Sequence, residues 1–296
     1  MVSPGAKVSS SSAAQAVKPA LDDDLVLTPG GWRPKSRVHL LRPGTILDKR
    51  QLATVPRAPR IDPGAARPSI RSLPPSNANW ISYAGWLNTV GSPIVSFSTT
   101  WTVPPPPAAA RAQLIYFFNG IEPADYSIIL QPVLQWGDSG PDEDGVNRTG
   151  PFWSVASWSV GADAHHTPHV QVHPGDTLVG LMKLTDQSNG QFAYSCEFAG
   201  ITGTDHSLVN TSELIWCSHT LEAYETDSND NPPYDLRSLA EYPAADSIAF
   251  ESISVQTAAG LIATLWDPQN VVTNFGEHTL APGTASTDSE VTIFFH

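Results

Sequence analysis

From residue 79 onward apolar and polar positions alternate in short runs, and nowhere do they recur at the spacing of an amphipathic helix. The clearest run is Val95 to Val103, where positions 95, 97, 101 and 103 are apolar and 96, 98, 100 and 102 are Ser or Thr. A period of two sends alternate side chains to opposite faces, so this run predicts a half-buried strand, stopped by Pro104 to Pro107. Comparable runs at 114–118, 128–136, 152–160, 169–172, 177–184, 192–198, 212–220, 249–255, 261–266 and 291–295 are separated by turn residues and bring the expectation to about eleven strands. That pattern predicts an all-β fold over residues 76–296, an antiparallel two-sheet sandwich of jelly-roll or concanavalin-like type.

The segment ahead of it has a different character. Residues 1–24 are Ser/Ala-rich and expected to be disordered, and residues 25–75 alternate short apolar groups with Pro, Gly and basic residues, as an extended arm would. Charge divides at the same place. Residues 1–72 hold twelve Lys/Arg against five Asp, a net +7, whereas the remainder holds four against 24 acidic residues, a net −20. The arm's natural partner is therefore the body of its own chain, and an attached acidic body argues against nucleic acid and anionic membranes as partners. Lys49-Arg50 is a dibasic pair of the kind that secretory proteases cut, so the arm reads as a pro-segment. A cationic pro-segment held by carboxylates is expected to leave as those carboxylates protonate near pH 4. If Val38 to Leu41 instead adds a strand to a sheet edge, the arm is permanent structure.

Among 296 residues no apolar stretch approaches the roughly 20 needed for a membrane span. Two Asn-x-Ser/Thr triplets, at Asn147 and Asn210, suit a secreted glycoprotein. The two cysteines, Cys196 and Cys217, lie in separate predicted strands and pair only if those strands are neighbours. Nucleotide-binding glycine loops, the serine-hydrolase elbow and zinc-binding spacings are absent, so no cofactor is expected. His165-His166 with His169 reads as a solvated loop. A metal there needs a carboxylate or a further His supplied by the fold, and none is assigned. The acidic runs at Asp138, Asp142, Glu143, Asp144 and at Asp227 to Asn231 are candidates only for weak cation binding.

The run Ile129-Leu130-Gln131-Pro132-Val133-Leu134-Gln135-Trp136-Gly137 carries the candidate chemistry. In a strand, Gln131 and Gln135 project to one face. Amides inside an apolar run need hydrogen-bond partners or a ligand.

With Asn79-Trp80, Phe97 to Pro104, Ile129-Leu130-Gln131, Pro174-Gly175-Asp176 and Thr220-Leu221-Glu222-Ala223-Tyr224-Glu225 taken in order, the chain from about 79 to 295 resembles the glutamic peptidases, or eqolisins. The resemblance implies a secreted, acid-acting endopeptidase that needs neither metal nor cofactor and takes polypeptide as substrate. In that family a Gln and a Glu hold a water beneath the scissile carbonyl; the carboxylate is the general base and the amide steadies the oxyanion. By position the resemblance implies Gln131 as the amide and Glu222 as the carboxylate, with Glu213 the alternative if Ser212 to Ile215 takes the place of the glutamate stretch. Two departures stand out. Ser157 occupies an acidic position of the family's pattern, and Cys217 or Ser218 replaces one of two glutamates ahead of Tyr224.

Two other classes compete. Eight of nine Trp lie in the body, and exposed indoles on a lectin-like sandwich would stack against a carbohydrate. A cleft with Trp153 and Ser157 opposite Gln131 and Gln135 would instead suit a hydrophobic small molecule and a rearrangement or cyclisation. Gln135, Trp136, Trp153, Ser157, Trp158 and Trp86 are the expected substrate-contacting residues.

Overall fold

The computed structural model describes residues 25–52, 80–226, 236–271 and 273–296. The expectations for residues 1–24, for a boundary at Pro74 to Ser76 and for the acidic run from Asp227 lie outside them. The described residues form strands and three short 3-10 turns, with no α-helix among them.

The arm contributes a hairpin, β1 (Leu25–Thr28) and β2 (Gly31–Pro34), followed by β3 (Val38–Leu40) and β4 (Thr45–Asp48). The body begins with β5 (Trp80–Leu87), β6 (Ile94–Thr102), β7 (Gln113–Pro123), β8 (Ile129–Gly137) and β9 (Gly150–Val160). It continues through β10 (Ala164–His166), β11 (Val170–Gln171), β12 (Thr177–Ser188), β13 (Gln191–Phe198), β14 (His206–Thr211) and β15 (Leu214–Glu225). The last strands are β16 (Ser247–Thr257), β17 (Gly260–Leu261), β18 (Asp267–Asn270), β19 (His278–Leu280) and β20 (Ser289–Phe294).

Two large sheets pack as a sandwich. The first runs β18-β5-β15-β7-β8-β9-β10-β3, with β11 beside β9; the second runs β19-β20-β16-β6-β12-β13-β14-β4, with β17 beside β16. The all-β sandwich is thus as expected, with more and shorter edge strands than the alternation announced.

Arm segments border both sheets. β3 lies parallel to β10, Val38 opposite Ala164, and β4 lies parallel to β14, Thr45 opposite His206. Each segment satisfies the open edge it covers. The dibasic pair sits in a 3-10 turn, Lys49–Gln51, where the Arg50 guanidinium pairs with Asp48 at 2.6 Å.

One core fills the space between the sheets, with Phe97, Trp101, Phe117, Leu134, Leu221 and Phe250 near its centre. β6 keeps the expected alternation at Phe97 and Trp101, which are buried, and at Ser98 and Thr100, which are half-buried, but at its start Ile94 is buried and Val95 only half-buried. β7 and β8 do not alternate: every residue of both strands is buried, because a second apolar cluster covers the other face of the first sheet. Cys196 and Cys217 lie in different sheets as free, buried thiols.

Candidate functional site

The outer face of the first sheet is a bed of large side chains. β5 supplies Trp80 and Tyr83, β7 Leu114, Tyr116 and Phe118, β8 Ile129 and Val133, β9 Trp158, and β15 Trp216 and Tyr224. Alternation places Glu222 on this face between Trp216 and Tyr224, and Gln131 and Gln135 beside Ile129 and Val133. A β-bulge between Leu221 and Glu222, where β15 meets β5, re-aims the chain at the carboxylate.

The N-terminal hairpin lies on this bed. Leu27 is buried in the aromatic cluster, and the Tyr116 hydroxyl donates to its carbonyl at 3.4 Å. The turn bends through Gly30 and Gly31, both in the left-handed region (φ 84° and 106°) that a Cβ disfavours. This bend aims the Gly30 N–H at Glu222 Oε1, 2.8 Å away. The Tyr224 hydroxyl donates to the same oxygen. Burial pushes the Glu222 carboxyl up to about 7; the bonds from Tyr224 and Gly30 and the charge of Arg33 pull the other way without offsetting it. Farther along the arm, Arg37 pairs with Asp163 (3.1 Å) and His39 with Glu143 (3.3 Å) on partly exposed groups.

Register decides which expected residues meet. Glu222 stands opposite Tyr116 on β7, and Tyr116 opposite Gln135 on β8. Ser218 stands opposite Gly120, which the same register of β7 and β8 aligns with Gln131. Gln131 and Glu222 are therefore two strands apart and displaced by four residues, a Cα separation of about 16 Å at ordinary strand spacings. Across Gly120 from Gln131 stands a serine. Ser218 Oγ is buried without a hydrogen-bond partner, 3.3 Å from where a Cβ on Gly120 would lie. Glu213 is half-buried just ahead of β15, five residues before Ser218 and well away from both Gln131 and Glu222. Partial burial raises its pKa.

Of the expected contact residues, Gln135 and Trp158 share the outer face. Trp86, Trp136 and Trp153 instead fill the core between the sheets, and Ser157, buried on β9 four residues on from Trp153, points the same way. The expected pairing of Trp153 and Ser157 with the Gln131 face is corrected by this geometry, since odd positions of β9 face inward and odd positions of β8 outward. Sequence reasoning missed Tyr116 and the hairpin, and named Tyr224 and Ser218 only as positions in the family's pattern. The period-two spacing of Trp216, Ser218, Thr220, Glu222 and Tyr224 was the signal for the β15 members of that set.

The histidines are also corrected. His165 and His166 are buried, not solvated, because β10 lies between β9 and β3, and His169, in the turn after it, is buried against Trp158 and Gln135. The Trp158 indole stacks on His166 with ring centroids 4.4 Å apart. Gln135 finds partners on every side: its amide donates to Gly137 O (3.1 Å) and Ser139 Oγ (3.2 Å), and its Oε1 faces His169 Nε2 at 3.1 Å.

No protein-family model matches the chain, and no curated protein matches it. In outline it is similar to crystallised Scytalido-glutamic peptidase bound to a peptide-based transition-state analogue, with TM-score 0.46 and 17% identity over 74% of this chain and 98% of that one. It is similar also to SCP-B, a member of the eqolisin family of peptidases, in complex with the tripeptide Ala-Ile-His, with TM-score 0.43 and 18% identity over 74% and 98% of the two chains. A CBM2 module from the evolved Dit of Lactobacillus casei BL23 phage J-1 is more distant, with TM-score 0.28 and 11% identity over 49% of this chain and 60% of that one.

Proposed function

We propose that the outer face of the first sheet is a polypeptide-binding groove, occupied in this chain by its own N-terminal hairpin, and that Glu222 is the acid–base group of that groove. One observation carries the reading. The groove already holds a stretch of polypeptide in the two ways a peptide site needs, a main-chain N–H donated to Glu222 at 2.8 Å and an apolar side chain, Leu27, seated among aromatic rings.

The pH response of such a groove is set by Glu222. Seated beneath the hairpin its carboxyl titrates near 7, and with the hairpin lifted it returns toward the ordinary 4.5 of a hydrated glutamate. A pKa raised in the seated state favours seating as pH falls and loosens the hairpin as pH rises through 7. This is opposite in sign to release of a cationic arm by acid. Among the described residues, the arm's ion pairs Arg37–Asp163 and His39–Glu143 are partly exposed, and such pairs contribute roughly 0–1 kcal/mol each.

Peptide hydrolysis is a second reading, favoured by a buried carboxyl poised near neutrality, where a general acid–base works best. In this geometry the donors to Glu222 are the Tyr224 hydroxyl and the Gly30 N–H, with Gln131 too distant to share a water with it. A lectin role has less support, because no body tryptophan is exposed while the hairpin is seated, and Trp86, Trp101, Trp136, Trp153 and Trp266 lie between the sheets.

The test uses full-length Leu27→Asp, which unseats the hairpin while leaving β3 and β4 paired. We expect this variant, still folded by circular dichroism, to bind a labelled unfolded polypeptide at least ten times more tightly than wild type. A synthetic peptide of residues 24–36 should displace it. Cleavage products that disappear in Leu27→Asp/Glu222→Gln would establish hydrolysis. Capture of hydrophobic small molecules without polypeptide, or no gain of binding, would overturn the proposal.

A further inference from the structure

We propose that Asp142, His166 and His169 form a divalent-metal site on the first sheet's outer side, with Zn²⁺ as its occupant. The three residues come from separate places in the chain: Asp142 from the loop between β8 and β9, His166 from the end of β10 and His169 from the turn leading to β11. One donor atom from each lies within 4.8 Å of the other two. His166 Nε2 is 3.9 Å and His169 Nδ1 3.7 Å from Asp142 Oδ1. All three side chains are at least nine-tenths buried.

Hydrogen bonds outside the triangle set which nitrogens face into it. His166 Nδ1 lies 2.9 Å from the Thr167 carbonyl and His169 Nε2 lies 3.1 Å from Gln135 Oε1. Both partners are acceptors, so each ring carries its proton outward and presents a lone pair inward, which is how metal-binding histidines are oriented. Arg148 Nη1 holds the other carboxylate oxygen, Asp142 Oδ2, at 2.7 Å and leaves Oδ1 turned toward the rings. His169 Nδ1 has no hydrogen-bond partner despite full burial. Three electron-rich atoms so converge on one point with no donor among them. Such an arrangement is costly to bury unless a cation sits at its centre.

Two imidazoles and one carboxylate match a zinc site with an open fourth position. Ligand–zinc bonds of about 2.0–2.1 Å require ligand atoms about 3.4 Å apart in a tetrahedron, so the present triangle has to contract by well under an ångström per ligand. The same three residues line a cavity of about 190 Å³ together with Leu27, Val38 and Trp158. The open position therefore faces the hairpin-covered end of the groove.

The experiment is a titration of the chelator-stripped full-length protein with Zn²⁺ against a chromophoric chelator, and with Co²⁺ followed by its visible absorption. We expect one Zn²⁺ per chain and an intense tetrahedral-type Co²⁺ spectrum. Asp142→Asn and His169→Gln should each weaken Zn²⁺ at least about 100-fold, and Gln135→Ala, which acts only by orienting His169, about 10-fold. Metal-free melting curves of the variants separate loss of ligand from loss of fold, and the Co²⁺ spectrum of the wild type needs no variant. Absence of stoichiometric binding, an octahedral Co²⁺ spectrum, or unchanged affinity in folded Asp142→Asn and His169→Gln would overturn the assignment.

Discussion

Replacing Glu222 by Gln gives the sharpest check on the groove's electrostatics. The amide is close in shape to the protonated carboxyl: its oxygen can still accept from Gly30 N–H and Tyr224. What it removes is the ability to ionise. Burial raises the Glu222 pKa from 4.5 to about 7, a difference of some 2.5 units, or about 3 kcal/mol by which the folded state penalises the ionised form. Because the folded pKa lies above the unfolded one, this contribution is fully present below pH 4.5, declines as pH rises, and is gone above pH 7. Wild type and Glu222→Gln should therefore have similar stability near pH 5, and the variant should gain by about 2–3 kcal/mol relative to wild type by pH 8.5. Urea unfolding at half-unit steps between pH 5 and 8.5 measures the difference directly, and the buried histidines common to both proteins cancel from it. A difference that stays constant across that range, or one that favours wild type as pH rises, refutes the argument that the hairpin and the aromatic bed desolvate this carboxyl.

Other outcomes follow from named contacts. His219, bonded to Thr99 at 2.8 Å in the inter-sheet core, is pushed down to about 3 by burial. It contributes stability above pH 6.5 that is lost as pH falls, on the order of 3 kcal/mol by pH 4, and His219→Gln should flatten the acid limb of the urea-stability profile. Gly180→Ala drives a Cβ into Asn119 and to 2.7 Å from both Pro132 and Trp101, so a loss of about 1–3 kcal/mol is expected in chemical denaturation, and an unchanged midpoint counts against the packing described. Burial raises both thiol pKa values, so Cys196 and Cys217 should resist a thiol reagent in the native protein and react together only on unfolding. Ser218→Glu combined with Leu27→Asp places a carboxyl across Gly120 from Gln131; appearance of acid proteolysis, read by mass spectrometry, would show that serine at this position is what keeps the Gln131 line silent.

The pattern of Val95 to Val103 was enough to identify β6 and its buried face, because one side meets the core and the other meets water. The same logic had nothing to work with in β7 and β8, where both faces are buried and composition no longer distinguishes them. Arm segments were legible as short apolar groups among basic residues. Their pairing with β10 and β14 was not, since a three- or four-residue parallel edge strand has no signature apart from its partner.

By itself, then, the sequence determined the class of the fold and the placement of two glutamines on one common face of a strand, both consequences of a local period of two, and through its composition the charge division between arm and body. Tertiary structure alone decided register. A strand's side-chain period says which face a residue takes but not what lies opposite, and that is set by how whole strands and their bulges align across the sheet. So Glu222 met Tyr116 and the Gly30 turn while Gln131 faced Ser218, and so Asp142 reached His166 and His169 from more than twenty residues away.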